Sequence, residues 1–299
     1  MGLWIPVTIA AAFFQNLRSA LQKQLKGRMG TTGATFARFG FGLPFALVYL
    51  GLYVTATGEA LPALNAGFVF AALSGGFAQI LATFLLVYLF GFRNFMVGTA
   101  YSKTEPVQAA FFGFLILGEA IAPLGLLAVV AGVIGVMMIS LGERAPKDVL
   151  KGLATREAAI GILSGTLFGV SAVAFRGASL ALGDGTILMR ALLTLAVTLA
   201  IQTAVMLAWM LMKDRSELLR VVKASGPALL VGLMGATASA GWFTAMTLQK
   251  VAYVRALGQI ELVFTFLASV LWFREKVTRM EFAGSAVIVL AIFLLIGAG

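Results

Sequence analysis

Apolar runs alternate with short polar breaks along the whole chain. Ten runs stand out, at residues 3–24, 33–55, 66–90, 95–117, 121–141, 158–180, 186–212, 227–248, 254–273 and 279–298. About 20 apolar residues cross a hydrocarbon core roughly 30 Å thick, so each run predicts one transmembrane helix. The runs are too long and too uniformly apolar for the alternating ten-residue segments of a β-barrel. The pattern predicts an all-α integral membrane protein of ten transmembrane helices. The breaks agree with it. Pro123 and Pro227 sit just inside helix starts, where a missing N–H costs nothing, and residues 57–65, 141–152 and 182–185 carry turn formers. No connection is long enough to be a separate domain.

Polar residues inside the runs are fewer and more telling. An ionisable side chain at the bilayer centre costs roughly 2.5–3.5 kcal/mol on insertion scales. The fourth run nevertheless reads GTAYSKTEPVQAAF, with Lys103, Glu105 and Pro106 together. Tyr101, Glu105 and Gln108 share one helical face, while Lys103 lies on nearly the opposite one. Either each charge has a partner elsewhere or the helix is disturbed between them. Pro106 supplies a disturbance, because it lacks an N–H and clashes with the carbonyl of Ser102. Two readings stay open here: one wall of a hydrated central site, or a structural ion pair beside a proline kink. In the first helix Gln15, Arg18 and Gln22 form a polar stripe with Asn16 alongside. Gln79, Arg176, Trp242 and Glu261 add polar or aromatic positions in the third, sixth, eighth and ninth helices. The candidate solute-binding set is therefore Gln15, Arg18, Gln22, Gln79, Tyr101, Lys103, Glu105, Arg176, Trp242 and Glu261. Arg38 and Arg190, five or six residues inside their helices, read as interfacial anchors. The stripe Gly161, Gly165 and Gly169 reads as close helix packing. The basic segment 212–226 reads as a solvated loop.

Composition narrows the chemistry. The 299 residues are 61% hydrophobic and 11% charged, with mean hydropathy +1.00. There is no cysteine and no histidine. Disulfides, Cys- or His-ligated metals and Ser-His or Cys-His nucleophiles are excluded. There is no Walker-type GxxxxGK[ST] and no soluble domain, so no cofactor is expected and an enzyme is not the expected reading. The net charge of +10 fits basic loops rather than a nucleic-acid partner. Most of the 22 Lys and Arg fall in odd-numbered connections: Lys23, Lys26, Arg28 and Arg38 in the first, Arg93 in the second odd one, Arg144, Lys147, Lys151 and Arg156 at the centre, then Lys213, Arg215, Arg220 and Lys223, and finally Arg274, Lys276 and Arg279. Even-numbered connections and the termini offer Lys250 and Arg255. The positive-inside rule places the odd connections in the cytoplasm and both termini outside, in a cell (inner) membrane.

Repeats complete the reading. Glu105 precedes Glu119 by fourteen residues, and Glu261 precedes Glu275 likewise. Gly125 and Gly132, then Gly284 and Ala291, follow seven apart; Arg38 aligns with Arg190 and Ser19 with Ser171. Two five-helix repeats result, 1–147 and 148–299. Five is odd, so the second is inverted relative to the first. These features, with "LGE" at 117–119, "FRE" at 273–275 and "TEP" at 104–106, resemble the drug/metabolite transporter superfamily in its ten-helix EamA-type branch. The resemblance implies a transporter, commonly an exporter, of small organic metabolites. On the residues, cations that reach a midplane site favour a carboxylate or other anion, and Glu105 or Glu261 suits an amine or a coupling proton. Amino acids or other carboxylate-bearing solutes are the expected substrates. The expected partners are the lipid bilayer, a small-molecule substrate and a coupled proton or counter-substrate, for a monomer or homodimer. The alternatives are an intramembrane lipid-processing enzyme and a sensor that binds without flux.

Overall fold

The computed structural model describes residues 2–92, 95–141, 154–264 and 278–298, with backbone only for 95–98 and 141. The basic residues Arg93, Arg144, Lys147, Lys151, Arg274 and Lys276, and Glu275 of the "FRE" signature, lie outside that set. All regular structure among the described residues is helical. The helices are α1 (Trp4–Leu25), α2 (Thr31–Gly40), α3 (Gly42–Thr57), α4 (Ala66–Leu89), α5 (Phe95–Ser102), α6 (Glu105–Leu117), α7 (Pro123–Leu141), α8 (Arg156–Ala181), α9 (Ile187–Lys213), α10 (Arg215–Lys223), α11 (Ser225–Leu248), α12 (Val251–Leu257) and α13 (Arg279–Ala298). A helix satisfies its own backbone, which a lipid-facing chain must do.

Seven spans among the described residues are long and apolar enough to cross a membrane: α2 with α3, then α4, α7, α8, α9, α11 and α13. The sequence predicts ten. The remaining three differ for identifiable reasons. Helix α1 carries its polar stripe. The fourth run is two helices, α5 and α6, separated at Lys103–Thr104. The ninth starts as the short helix α12, breaks at Gly258–Gln259 and is helical again over 260–264, and the rest of its predicted run, 265–273, lies outside the described residues. The basic segment expected to be a loop is instead α10, whose Asp214 caps it by accepting from Glu217 N.

Lipid offers no hydrophobic drive for helices to associate, so close backbone approach at small residues must supply it. The most extensive pairings are α4 with α8, α1 with α11, and α7 with α13. A Cβ on Gly75 of α4 would stand 2.7 Å from Phe175 of α8. A Cβ on Gly135 of α7 would stand 2.7 Å from the Gly284 carbonyl of α13, and one on Gly284 would stand 2.7 Å from the Gly135 carbonyl. The stripe of glycines in α8 receives the broken fourth span. A Cβ on Gly165 would meet the Ser102 carbonyl at 2.7 Å, and one on Gly169 would meet Ala109 N at 3.2 Å.

Helix starts in the two halves are capped reciprocally. Glu217, just past α9, accepts from Gly33 N at the start of α2 (3.2 Å). Glu59, just past α3, accepts from Thr186 N at the start of α9 (2.6 Å) and from the Thr186 hydroxyl (2.9 Å). Each carboxylate meets otherwise unpaired N–H groups and the positive end of a helix dipole.

Candidate functional site

The two interrupted spans set the site. In the fourth, α5 closes with Lys103 N donating to Ala100 O and Thr104 N to Tyr101 O. Helix α6 then starts at Glu105 with Pro106 in its first turn. Pro106 at that position loses no hydrogen bond, since first-turn N–H groups have no intrahelical partner. The ninth span repeats the plan: Arg255 lies in the last turn of α12, and Glu261 opens the next helical stretch. Carboxylates at helix starts and cations at helix ends both complement the dipole.

The charges pair across the two spans. Lys103 is ion-paired with Glu261, and Arg255 Nε lies 3.0 Å from Glu105 Oε1. That second contact is an ion pair without hydrogen-bond alignment, since neither atom makes a hydrogen bond. Arg255 also stacks over Trp242, 4.7 Å from the ring centroid. Gln259 Nε2 donates to Lys103 O (3.3 Å), a carbonyl released by the first break. The dilemma of the fourth run is thus answered both ways: the helix is broken, and each charge has a partner elsewhere.

Around this junction lies a cavity of about 440 Å³. Of the sequence candidates, Gln15, Arg18, Gln79, Lys103, Glu105, Trp242 and Glu261 line it. Arg18 is buried rather than reaching for the surface. A recess of about 30 Å³ continues between the two breaks, beside Pro106 and Gly258. Three candidates lie elsewhere. Gln22 donates to Ala34 O (2.7 Å), tying α1 to α2. Tyr101 is buried at the end of α5. Arg176 pairs with Glu119 (2.5 Å) and donates to the terminal carbonyls of α11 at Met246, and at Gln249 just beyond (2.9 Å).

That Arg176 cluster ties α8 to the ends of α6 and α11 at one end of the bundle. Gly118, at φ 67°, terminates α6 in the left-handed conformation suited to glycine, and Glu119 N returns to Gly113 O. The "LGE" signature is therefore a helix stop that delivers Glu119 to Arg176. Lys250 Nζ donates to Ala120 O (2.6 Å) in the same layer. At the other end the cavity reaches the surface beside Ala20 and Lys23, both exposed and both lining it.

Sequence reasoning missed Arg38 and Arg255. Arg38, expected to be an interfacial anchor, is buried, lines the cavity and donates to Thr83 Oγ1 (2.8 Å). Arg255, expected in a connection, is inside a helix that begins three residues before the predicted run. The predicted run, 254–273, already included residue 255, and that was the available signal.

The sequence model of the EamA-like transporter family matches residues 2–141 and again residues 158–297. No curated protein matches the chain. Among solved structures, one titled only as a crystal structure of a protein aligns with TM-score 0.69 at 16% identity, over 99% of this chain and 96% of that one. At that identity the likeness speaks for the fold. The doubled family match spans both halves of the chain and the apolar helices give it many crossings: the protein belongs to the EamA-like transporter family and is a multi-pass membrane transporter of small solutes.

Proposed function

We propose that the protein is a secondary transporter that moves small carboxylate-bearing organic solutes, amino acids among them, by alternating access. Its ten spans form two inverted five-helix repeats, 1–147 and 148–299, that rock around the charged cavity. The observation that carries this reading is the crossing of two interrupted spans, whose charges pair across the junction, at a cavity reaching the surface at one end. Irregular backbone at membrane depth is tolerated where it is enclosed by protein or lines a cavity, and paired interrupted helices are the usual site architecture of inverted-repeat transporters. The reciprocal packing of α1 on α11 and α4 on α8, with α7 on α13, supports a two-fold relation between halves.

In this reading the open end, at the first connection, faces the cytoplasm of a cell with this protein in its inner membrane. The Arg176–Glu119 layer closes the outer end. Binding of solute is coupled to a proton or counter-substrate through the carboxylates.

Purified protein in liposomes should carry a radiolabelled solute down an imposed gradient. Glu105→Gln and Lys103→Ala should each abolish that flux while leaving the protein monodisperse; normal flux in both would sink the proposed roles. The absence of native cysteine makes topology testable. A thiol introduced at Lys23 should react with a membrane-impermeant maleimide only from the inner side, and one at Gly183 only from the outer side.

A further inference from the structure

We infer that Arg18 and Arg38 form an anion subsite inside the cavity, built for a small organic solute carrying two negative charges. This narrows the solute class of the reading above and rests on the cavity being a solute site, though not on flux.

The argument is one of charge and donors. Two carboxylates line the cavity, Glu105 and Glu261. Both are engaged, by Arg255 and by Lys103. Arg18 and Arg38 line the same cavity, are 4% and 6% exposed, and have no ion pair among the described residues. Their polar contacts are with neutral hydroxyls: Arg18 Nη2 donates to Ser19 Oγ (3.2 Å), and Arg38 Nη1 donates to Thr83 Oγ1 (2.8 Å). Arg18 Nε is buried with no partner. The two side chains run side by side: a Cβ on Gly235 of α11 would stand 3.4 Å from Arg18 Cδ and 3.5 Å from Arg38 Cγ. Two neighbouring guanidiniums, buried with only the already paired Glu105 and Glu261 as counter-charges, are costly unless an anion arrives. Their planar forks suit carboxylate or phosphate oxygens.

Gln79 adds a neutral donor. Its carbonyl oxygen accepts from Gln202 Nε2 (2.9 Å), and Gln202 is itself held on Gly76 O (3.2 Å). Gln79 lines the cavity, so the free half of its amide is the NH₂, a donor. By contrast, an amine would find both carboxylates already taken. Apart from Lys23 at the exposed mouth, the lining carries two cations in excess, and it therefore asks for a solute of net charge near −2, not for a zwitterion.

The experiment is titration calorimetry and thermal unfolding of the purified protein at constant ionic strength. The probes are succinate and glycerol 3-phosphate (two charges), butyrate (one) and alanine (zwitterion). A dianion should bind at least about tenfold more tightly than butyrate or alanine. Comparing the two dianions distinguishes a dicarboxylate from a phosphate-ester site. Arg38→Gln and Arg18→Gln should each weaken that binding about thirtyfold or more, as truncation of one partner of a buried charge pair does. Arg38→Lys, which keeps the charge but loses the fork, should fall between.

Alanine binding as tightly as the dianions, or no dianion binding to the wild type, overturns the subsite. So does full affinity in a folded Arg38→Gln. If Arg38→Gln does not fold, the wild-type series still decides. Dianion binding without flux in liposomes would sink the transport reading and leave the subsite standing. Flux of alanine with no dianion affinity would do the reverse.

Discussion

The two interrupted spans reach the same result by different chemistry. The break at Lys103–Thr104 is enforced locally by Pro106 and given room by Gly165, whose missing side chain admits the Ser102 carbonyl. The break at Gly258–Gln259 has no proline beside it. There Gly258 lies under Trp242, where a Cβ would come 2.5 Å from the ring, and Gln259 reaches across to Lys103 O. The second break thus satisfies a carbonyl that the first one frees. The ion pairs differ as well. Arg255–Glu105 has side chains 9% and 15% exposed, whereas Lys103–Glu261 has 29% and 9%. One pair is sunk between Trp242 and the junction; the other has its lysine partly open to the cavity. Neither break is electrically complete alone, so the two half-sites form one unit.

Removing carboxylates one at a time tests that asymmetry most strongly. Glu105→Ala strands a buried Arg255 and should cost about 3–5 kcal/mol, the usual cost of breaking a buried pair, read from unfolding in detergent. The exchange of Glu105→Arg with Arg255→Glu should recover part of it. Glu261→Ala leaves Lys103, which can draw solvent from the cavity, and should cost less, about 1–3 kcal/mol. Equal losses would show that the two pairs are equivalent after all.

Glycine substitutions come next. Gly165→Ala puts a methyl against a backbone carbonyl, which yields poorly, and should cost about 1–3 kcal/mol. Gly258→Ala meets a side-chain ring, which can swing away. It should cost about 1 kcal/mol and shift the Trp242 fluorescence as the ring leaves Arg255.

The smallest effect belongs far from both breaks. The Thr186 backbone N–H, helped by its hydroxyl, holds the Glu59 carboxyl below the ordinary carboxylate range. Its stabilising contribution is present above the unfolded carboxyl's pKa and is lost as pH falls through the lower, folded value. Glu59→Gln should therefore lower the melting temperature slightly at neutral pH, and the difference from wild type should vanish in acid.

The apolar runs made the helices legible, because membrane depth demands length and hydrophobicity. Lys103, Glu105 and Pro106 also declared themselves, since each is expensive or disruptive where it stands. The second break did not. Gly258 in an apolar stretch looks like any packing glycine, and only its contact with Trp242 gives it a role. Without that break the apolar pattern starts the ninth helix three residues late and places Arg255 in a connection. The partners were hidden for a different reason: Lys103 and Glu261 are 158 positions apart, and no local spacing links them. Arg38 was legible as a charge but not as a cavity wall, because which side of a helix faces inward depends on neighbours. The acidic caps Glu59 and Glu217 were invisible for the same reason, each serving a helix from the opposite half.

The crossing of α7 with α13 bears on the proposed rocking. At the Gly135–Gly284 crossing each backbone lies against the other, flanked by the side chains of Ile139 and Ile288. Such a bearing permits swivel but resists separation, so in the proposed rocking the two halves would turn about this point. A methyl on Gly135 would press on the Gly284 carbonyl, and one on Gly284 on the Gly135 carbonyl, so either alone would stiffen the pivot.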